Sequence, residues 1–374
     1  MKKILYSAPS VEKVLRYHVP ILKKFYKLGY SIHLVVGEGD MSRRIEFVHN
    51  FVVNKGMSSS GSHDDLVDLS NLIASERYDI VSSNGNPASW FTRRALRQSE
   101  FKPKLNAVMS FGLDYDLGTW PFKRLFRSSI DREFRGDTDL MMVMNSTDLK
   151  TARNMALARN VAKIPGTGFD IDAFQPAIQE QRQEARKQLG CGDDVFVFVC
   201  CGEFDANHHH RFLINNMQML HRRIVVFMLG DGVQAKSCRS LIKDRGLEGN
   251  VFMPGEVADI MPYLRASDAT LSICRYEGFP NFIAKGQAMG IPSVVSAVKG
   301  NLDVVTDRRD GLVYTFGRPD SFIEAMQTMT ENDGLREAMG QYSMMDCRNF
   351  GTDVAVNTIM ACYDNALLQN GYSL

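Results

Sequence analysis

Arg275-Tyr-Glu-Gly-Phe-Pro-Asn-Phe-Ile-Ala-Lys-Gly-Gln-Ala-Met-Gly-Ile-Pro-Ser-Val-Val295 is the stretch from which the fold can be read most directly. It predicts a polar loop with one carboxylate, a helix that begins at about Pro280-Asn281, and a Gly-x-Pro turn into a strand. A helix N-terminus presents N–H groups and a positive dipole end, which suit a diphosphate. Taken alone, the stretch fits such a site and an ordinary helix N-terminus in an α/β protein about equally well.

Apolar runs of strand length alternate with segments of helical periodicity along the chain, which predicts parallel sheets covered by helices. The first series has predicted strands at residues 3–7, 31–36, 79–82, 105–109 and 140–144, and helices at 20–28, 66–77, 90–97 and 148–158. The second has predicted strands at 195–200, 223–229, 251–253, 269–273 and 292–295, followed by a helix at 353–368.

A Pro/Gly segment at residues 164–168 separates the two series. We therefore expect an α/β protein of two Rossmann-like, doubly wound domains, residues 1–165 and 166–350, facing each other across a cleft. We expect residues 351–374 to pack back on the first domain.

Composition excludes several classes of function. The 374 residues carry a formal net charge of +1, so nothing indicates a nucleic-acid partner. Seven scattered cysteines without a C-x-x-C pair argue against a disulfide framework or zinc site and favour the cytoplasm. The N-terminus lacks a signal-peptide pattern, and no apolar stretch approaches the roughly 18 residues that span a bilayer.

The quoted stretch resembles the signature of glycosyltransferase family 4, written E-G-F-P-N-x-x-x-E-A-M-x-x-G-x-P-V-V. Five further segments, in the same order as in that family, are similar to its motifs. They are Arg16–Pro20, Ile164–Phe174, Leu229–Gly232, Asp259–Asp268 and Lys299–Asp303. The last of these resembles the R-G-N-x-D of the polysaccharide-assembly subgroup.

The resemblance implies a GT-B fold, a retaining and metal-independent reaction, and no cofactor besides the donor substrate. That donor is a nucleotide-diphosphate sugar, with a UDP-sugar the first expectation. Glu277 is implied as the catalytic-site carboxylate that contacts sugar hydroxyls. The candidate donor-binding residues are Gly202, Glu203, Asn207, Gly230, Glu256, Arg275, Gly278, Phe279, Pro280, Asn281 and Lys285.

Three departures from the family pattern concern the donor. Lys285 stands where a second glutamate normally holds the ribose, and an ammonium cannot accept those hydrogen bonds. The segment Gly202-Glu-Phe-Asp-Ala-Asn-His-His-His210 is similar to G-E-L-x-x-x-K-N-H. We take Ala206 to stand in the place of its diphosphate-binding lysine. That loss costs about 1.5–3 kcal/mol unless Lys285 or Arg275 supplies a cation. Phe111 replaces a histidine of H-G-F-H-F.

Two further catalytic candidates each have two possible roles. Asp114, where the second histidine of H-G-F-H-F falls, is either an acceptor-binding or acid/base residue or a loop cap; we discount the Asp114-x-Asp116 spacing as a metal motif. His18 is either a cleft-facing residue or a packed histidine. Residues 208–210 are three histidines that diverge on a helix start and so cannot chelate one metal; we expect one to line the cleft and the others to be solvated.

The acceptor is expected to be a saccharide, often lipid-linked, bound by the first domain. Residues 119–127 mix aromatic and basic side chains, and Arg93, Arg94 and Arg97 add positive charge, which suits peripheral contact with the cytoplasmic face of the inner membrane. An ordinary amphipathic helix explains them as well.

The leading hypothesis is a hexosyltransferase of capsule, O-antigen or exopolysaccharide assembly. A degenerate, non-catalytic scaffold is the alternative, and a sugar-phosphate epimerase or phosphorylase is a weaker one.

Overall fold

The computed structural model describes residues 2–39, 45–58, 61–113, 131–220 and 223–374. The chain forms two compact units. Unit 1 comprises Met1–Gly168 and Thr352–Leu374, and unit 2 comprises Phe169–Gly351. Within the described ranges, no helix is long and apolar enough to span a bilayer.

Unit 1 is built on a parallel sheet in which the described strands follow the order β3-β2-β1-β4-β5-β6-β7. The strands are β1 (Lys2–Ser10), β2 (Tyr30–Glu38), β3 (Asn50–Val53), β4 (Ile80–Asn84), β5 (Leu105–Met109), β6 (Leu140–Val143) and β7 (Asn160–Lys163). Its first helices are α1 (Val11–Tyr17), α2 (Val19–Lys27), α3 (His63–Glu76), α4 (Asn86–Gln98) and α5 (Ser146–Asn154). Most residues of β1 and all but the last residue of β2 are buried, as expected for strands covered on both faces.

The last helix of the chain, α14 (Thr352–Gln369), belongs to unit 1. It packs against α2 and the β5–β6 region. Tyr363 fixes it in place, because its ring meets Phe25 edge-on at 5.1 Å and its hydroxyl lies 2.6 Å from Oγ of Ser82. A buried hydroxyl pair of this kind satisfies both polar groups inside the core.

Unit 2 repeats the plan with six described strands in the order β10-β9-β8-β11-β12-β13, all parallel. They are β8 (Phe196–Cys201), β9 (Ile224–Leu229), β10 (Val251–Gly255), β11 (Ala269–Ser272), β12 (Ser293–Ser296) and β13 (Gly311–Tyr314). The helices are α6 (Gln179–Gln188), α7 (His210–Asn216), α8 (Ala235–Asp244), α9 (Met261–Ala266), α10 (Asn281–Ala288), α11 (Asn301–Val304), α12 (Pro319–Glu331) and α13 (Asp333–Asp346).

The doubly wound α/β architecture predicted from the sequence is confirmed, and each predicted strand and helix is present. The pattern did not reveal α1 or the short strands β3, β7 and β13, which contain only four residues per strand. A run of four residues is too short to display a period. The prediction placed the start of α4 four residues late, because Pro87 occupies the first turn and Gly85 precedes it at φ +83°.

Candidate functional site

The strand order of unit 2 reverses between β8 and β11, and the loops that follow these two strands meet there. The backbone N–H of Arg275 donates to the carbonyl of Asn207 at 2.9 Å. The side-chain amide of Asn207 donates in return to the carbonyl of Tyr276 at 3.2 Å. The reversal point of a doubly wound sheet, at the carboxyl ends of its strands, is where such folds bind ligands. Two stretches far apart in sequence therefore form one candidate site.

Glu277 is held in this site by the segment that follows β12. Its N–H donates to the carbonyl of Lys299 at 3.1 Å. Gly300 has φ +83°, and a Cβ there would lie 2.4 Å from the Glu277 carbonyl oxygen, so only glycine fits. Next to it, the buried Asn301 amide donates to Ser272 Oγ and Ser296 Oγ, each at 3.1 Å. The segment that resembles R-G-N-x-D thus holds the backbone of Glu277 in position.

The carboxyl group of Glu277 is poised between its two protonation states. The residue keeps partial exposure, while the carboxyl group itself is closely surrounded by protein. This burial raises its pKa to about 7, although His208, the Cys274 thiol and the Gly278 N–H each act to lower it. Hydrogen-bond donors from a ligand would favour the ionised form, so the group is suited to accept hydrogen bonds from hydroxyls.

Helix α10 begins directly after Glu277-Gly-Phe-Pro, as the sequence predicts. Pro280 is the N-cap and supplies no capping side chain to the first-turn N–H groups. The buried Phe279 ring packs against Phe350 at 5.2 Å and anchors the loop. Lys285 lies in the last turn, with its Nζ 5.2 Å from the centre of the Phe174 ring. This distance is within the range of a cation–π contact.

The loop after β8 contains a hydrogen-bonded Asp–His pair that the sequence reading missed. Asp205 Oδ1 lies 2.8 Å from Nδ1 of His208 and also accepts the N–H groups of Asn207 and His208 at 2.9 Å each. Burial alone would raise the pKa of Asp205, but these hydrogen bonds outweigh it and hold that pKa below its ordinary value. The carboxylate is therefore ionised at neutral pH.

The assignment of the lysine position to Ala206 was wrong, because it does not agree with the spacing of the motif. In G-E-L-x-x-x-K the lysine is the sixth residue after the glycine, so counting from Gly202 places it at His208. The Asp-x-x-His spacing and this count were the signals that could have identified the pair from the sequence.

The other two histidines of the run face protein, which corrects the expectation that they are solvated. His210 stacks on Phe204 at 4.0 Å, and burial lowers its pKa to about 3. Burial and then Arg275 lower the pKa of His209, whose ring lies 4.8 Å from that of Phe316. Among the described residues, no group of three potential ligands could hold a metal ion.

Three buried polar atoms in this loop and at the start of α7 have no hydrogen-bond partner in the described structure: Oδ1 of Asn207 and Nδ1 of both His209 and His210. Buried polar groups are normally paired. Such atoms also occur elsewhere in both units, so they do not by themselves identify the loop as functional.

The remaining predicted donor residues lie at the same end of the sheet. Gly202 lies beneath the His208 ring, since a Cβ there would come within 2.4 Å of His208 Cδ2. Gly230, at φ +130°, packs against the Gly202 carbonyl. Glu203 is exposed beside them, whereas Glu256 is exposed after the edge strand β10, two strands from the reversal point.

In unit 1 the structure favours the packed alternative for His18. The ring is buried, its Nδ1 lies 2.8 Å from the Tyr6 hydroxyl, and it meets Phe111 edge-on at 5.5 Å. Burial lowers its pKa to about 3, so it is neutral at physiological pH. A catalytic role for His18 stays a prediction. Asp114 and the aromatic and basic residues at 119–127 lie outside the described residues.

A pocket of about 640 Å³ lies at the opposite, amino end of the unit 2 sheet. Its arginines already have partners: Arg182 and Arg186 both bind the carboxylate of Asp268 and nearby carbonyls. Arg336 binds Asp333 and two carbonyls. These contacts stabilise the fold, and we do not place the functional site there.

Comparison with known proteins matches most of unit 2 to one family model. Residues 181–344, most of unit 2, match the family model described as Glycosyl transferases group 1. The chain is 21% identical over 345 residues to the putative glycosyltransferase EpsD of Bacillus subtilis, covering 91% of this chain and 90% of that protein. It is 24% identical over 300 residues to the UDP-Gal:alpha-D-GlcNAc-diphosphoundecaprenol alpha-1,3-galactosyltransferase of Escherichia coli, covering 76% and 73%.

Solved structures show the same fold. The crystal structure of Anabaena Alr3699/HepE in complex with UDP and glucose matches with a TM-score of 0.81 at 17% identity, covering 98% of this chain and 100% of that one. The fold is that of GT-B glycosyltransferases. The protein is a glycosyltransferase, its second unit matches the group 1 model over residues 181–344, and it has relatives in polysaccharide and glycoconjugate biosynthesis.

Proposed function

We propose that the protein is a retaining, metal-independent hexosyltransferase that uses a nucleotide-diphosphate sugar, first of all a UDP-sugar. Its acceptor is a saccharide or a lipid-linked saccharide in capsule, O-antigen or exopolysaccharide assembly. The observation that carries the proposal is the junction of the loops after β8 and β11, where Glu277 is fixed beside the N-terminus of α10. Several structural neighbours are complexes with UDP or UDP-glucose, which supports this donor class.

The division of labour in the proposed donor site follows from the chemistry of its two sides. The Glu277 carboxylate accepts hydrogen bonds from sugar hydroxyls, and the uncapped first turn of α10 faces the diphosphate. Preorganised N–H groups stabilise the charge that develops on the leaving diphosphate, and no protein base is required. In a retaining reaction of this type the leaving phosphate takes the acceptor proton.

The proposed acceptor side belongs to unit 1, at the cytoplasmic face of the inner membrane. The described part of that surface is less basic than the sequence suggested. Arg93 is buried and binds Asp131, and Arg97 binds Glu133 and Asp137. Arg94 is exposed and lies 5.6 Å from the centre of the Trp90 ring. An aromatic–arginine pair of this kind suits an anionic lipid surface, and Trp90 and Arg94 are its first candidates.

A sugar-transfer assay tests the proposal. Purified protein is incubated with radiolabelled UDP-, GDP-, ADP- and CMP-sugars and an undecaprenyl-diphosphate-linked saccharide, with Glu277→Ala as the inactive comparison. We expect one UDP-sugar to yield labelled lipid with retained anomeric configuration, and EDTA to leave the rate unchanged.

Two results contradict the proposal. Failure of every nucleotide sugar to bind favours the non-catalytic scaffold. Equal turnover by the wild type and Glu277→Ala refutes the site assignment.

A further inference from the structure

A buried polar network lies next to the Glu277 loop, at the carboxyl ends of β11 and β12. Its centre is the side-chain amide of Asn301, which is fully buried and donates to Oγ of Ser272 and to Oγ of Ser296, each at 3.1 Å. The Ser296 hydroxyl in turn donates to the carbonyl of Cys274 at 2.7 Å. The network therefore fixes the end of β11 and the first residues after it, before the chain reaches Glu277.

Cys274 is the member of this network that contacts the Glu277 side chain. The residue is 2% exposed, and its Sγ lies 3.2 Å from Oγ of Ser272 and 3.7 Å from Nδ2 of Asn301. A hydroxyl and an amide can both donate to sulfur, which leaves the thiol hydrogen for another acceptor. That acceptor is the Glu277 carboxyl group, to which the thiol is hydrogen-bonded.

The other contacts of Glu277 come from its own loop or hold its backbone. The Lys299 carbonyl accepts the Glu277 N–H, and a Cβ on Gly300 would lie 2.7 Å from the Glu277 Cβ. The carboxyl group also accepts the N–H of Gly278, the next residue in the chain. That contact moves with the loop, whereas the bond to Cys274 connects the carboxyl group to the buried network.

We propose that Cys274 is a positioning residue: the buried network fixes its thiol, and the thiol orients the Glu277 carboxylate toward the hydroxyls of the donor sugar. The inference rests on the proposed function, in which Glu277 contacts that sugar. A thiol is a weak donor, so it directs the carboxylate without competing strongly with the sugar hydroxyls. The sugar then binds without first having to order a flexible glutamate side chain.

This role affects one part of the donor only. UDP contains the nucleoside and the diphosphate but lacks the sugar, so its affinity does not depend on the orientation of the Glu277 carboxylate. A UDP-sugar gains affinity from that carboxylate. Loss of the thiol should therefore weaken the binding of a UDP-sugar and leave the binding of UDP unchanged, whereas general damage to the loop weakens both.

The test measures the affinities of the full-length protein for UDP, UDP-glucose and UDP-galactose by calorimetry at pH 8, where the Glu277 carboxyl group is largely ionised. The variants are Cys274→Ala, which removes the donor, and Cys274→Ser, which restores one at the same position. Cys238→Ala is the matched control, because Cys238 is also a buried cysteine of unit 2 but lies on α8, outside the candidate site. The effect of Cys274→Ala is also measured in a Glu277→Ala background.

We expect Cys274→Ala to bind the tighter of the two UDP-sugars about fivefold more weakly than the wild type, because one hydrogen bond is lost. Its affinity for UDP stays unchanged, and Cys274→Ser and Cys238→Ala match the wild type with every ligand. In the Glu277→Ala background the effect of Cys274→Ala disappears, because Cys274 acts through Glu277.

The outcomes separate this inference from the proposed function. No effect of Cys274→Ala, equal weakening of UDP and the UDP-sugar, an undiminished effect in the absence of Glu277, or failure of Cys274→Ser to restore binding overturns the inference and leaves the proposed function intact. Failure of the wild type to bind UDP or either UDP-sugar overturns the UDP-sugar donor and this inference together.

Discussion

Replacing Glu277 by glutamine should stabilise the unliganded protein in a pH-dependent way. Burial raises the pKa of Glu277 from its ordinary value of 4.5 to about 7. Below pH 4.5 the carboxyl group is protonated in both the folded and the unfolded state, and it costs nothing. Between pH 4.5 and 7 the unfolded state ionises first, and above pH 7 the full cost of about 3 kcal/mol is present. Glutamine never ionises and so removes this cost.

The assay is urea unfolding of the wild type and Glu277→Gln at pH 5 and pH 8, without donor. The gain in the free energy of unfolding caused by the substitution should be about 2.5 kcal/mol larger at pH 8 than at pH 5. The matched control is Glu324→Gln, an exposed carboxylate on α12, which should change stability by less than about 0.5 kcal/mol at either pH. The same gain from Glu277→Gln at both pH values would refute the reasoning, because the carboxyl group would then not be desolvated in the folded state.

Two further substitutions test the supports of the site and of the fold. Gly300→Ala should lower transfer activity at least tenfold in a folded protein, because the new Cβ would lie 2.4 Å from the Glu277 carbonyl oxygen. Gly317→Ala has a similar positive φ of +74° and no neighbour within 4 Å, so it should keep activity; equal losses in the two variants would exclude a clash as the cause. Asp268→Asn should lower the free energy of unfolding by about 3 kcal/mol, because it leaves the buried guanidinium of Arg186 without its carboxylate. Denaturant titration measures this loss, and a change below about 1 kcal/mol would contradict it.

The fold and half of the site could be predicted from the sequence because both are indicated by local sequence patterns. The strands β8 and β9 are continuous apolar runs, and the loop before α10 contains its carboxylate and its Pro-Asn start within five residues. Short-range signals of this kind need no knowledge of tertiary contacts.

The rest of the site depends on contacts between distant segments. The sequence does not show that Gly300 and Asn301 support Glu277, because the contact requires β11 and β12 to be neighbours. The burial of His18 between Tyr6 and Phe111 likewise depends on tertiary packing, since the three residues come from separate parts of the chain. Sequence reasoning therefore left the two alternatives for His18 open.

Hydrogen–deuterium exchange with and without a saturating UDP-sugar locates the donor site directly. We expect slower exchange in peptides that cover residues 202–210 and 275–285, at the carboxyl ends of β8 and β11. We expect no change in peptides that cover residues 179–186 and 330–336, around the pocket at the amino end of the same sheet. Protection of that amino-end pocket, with unchanged exchange around Glu277, would show that the donor binds elsewhere.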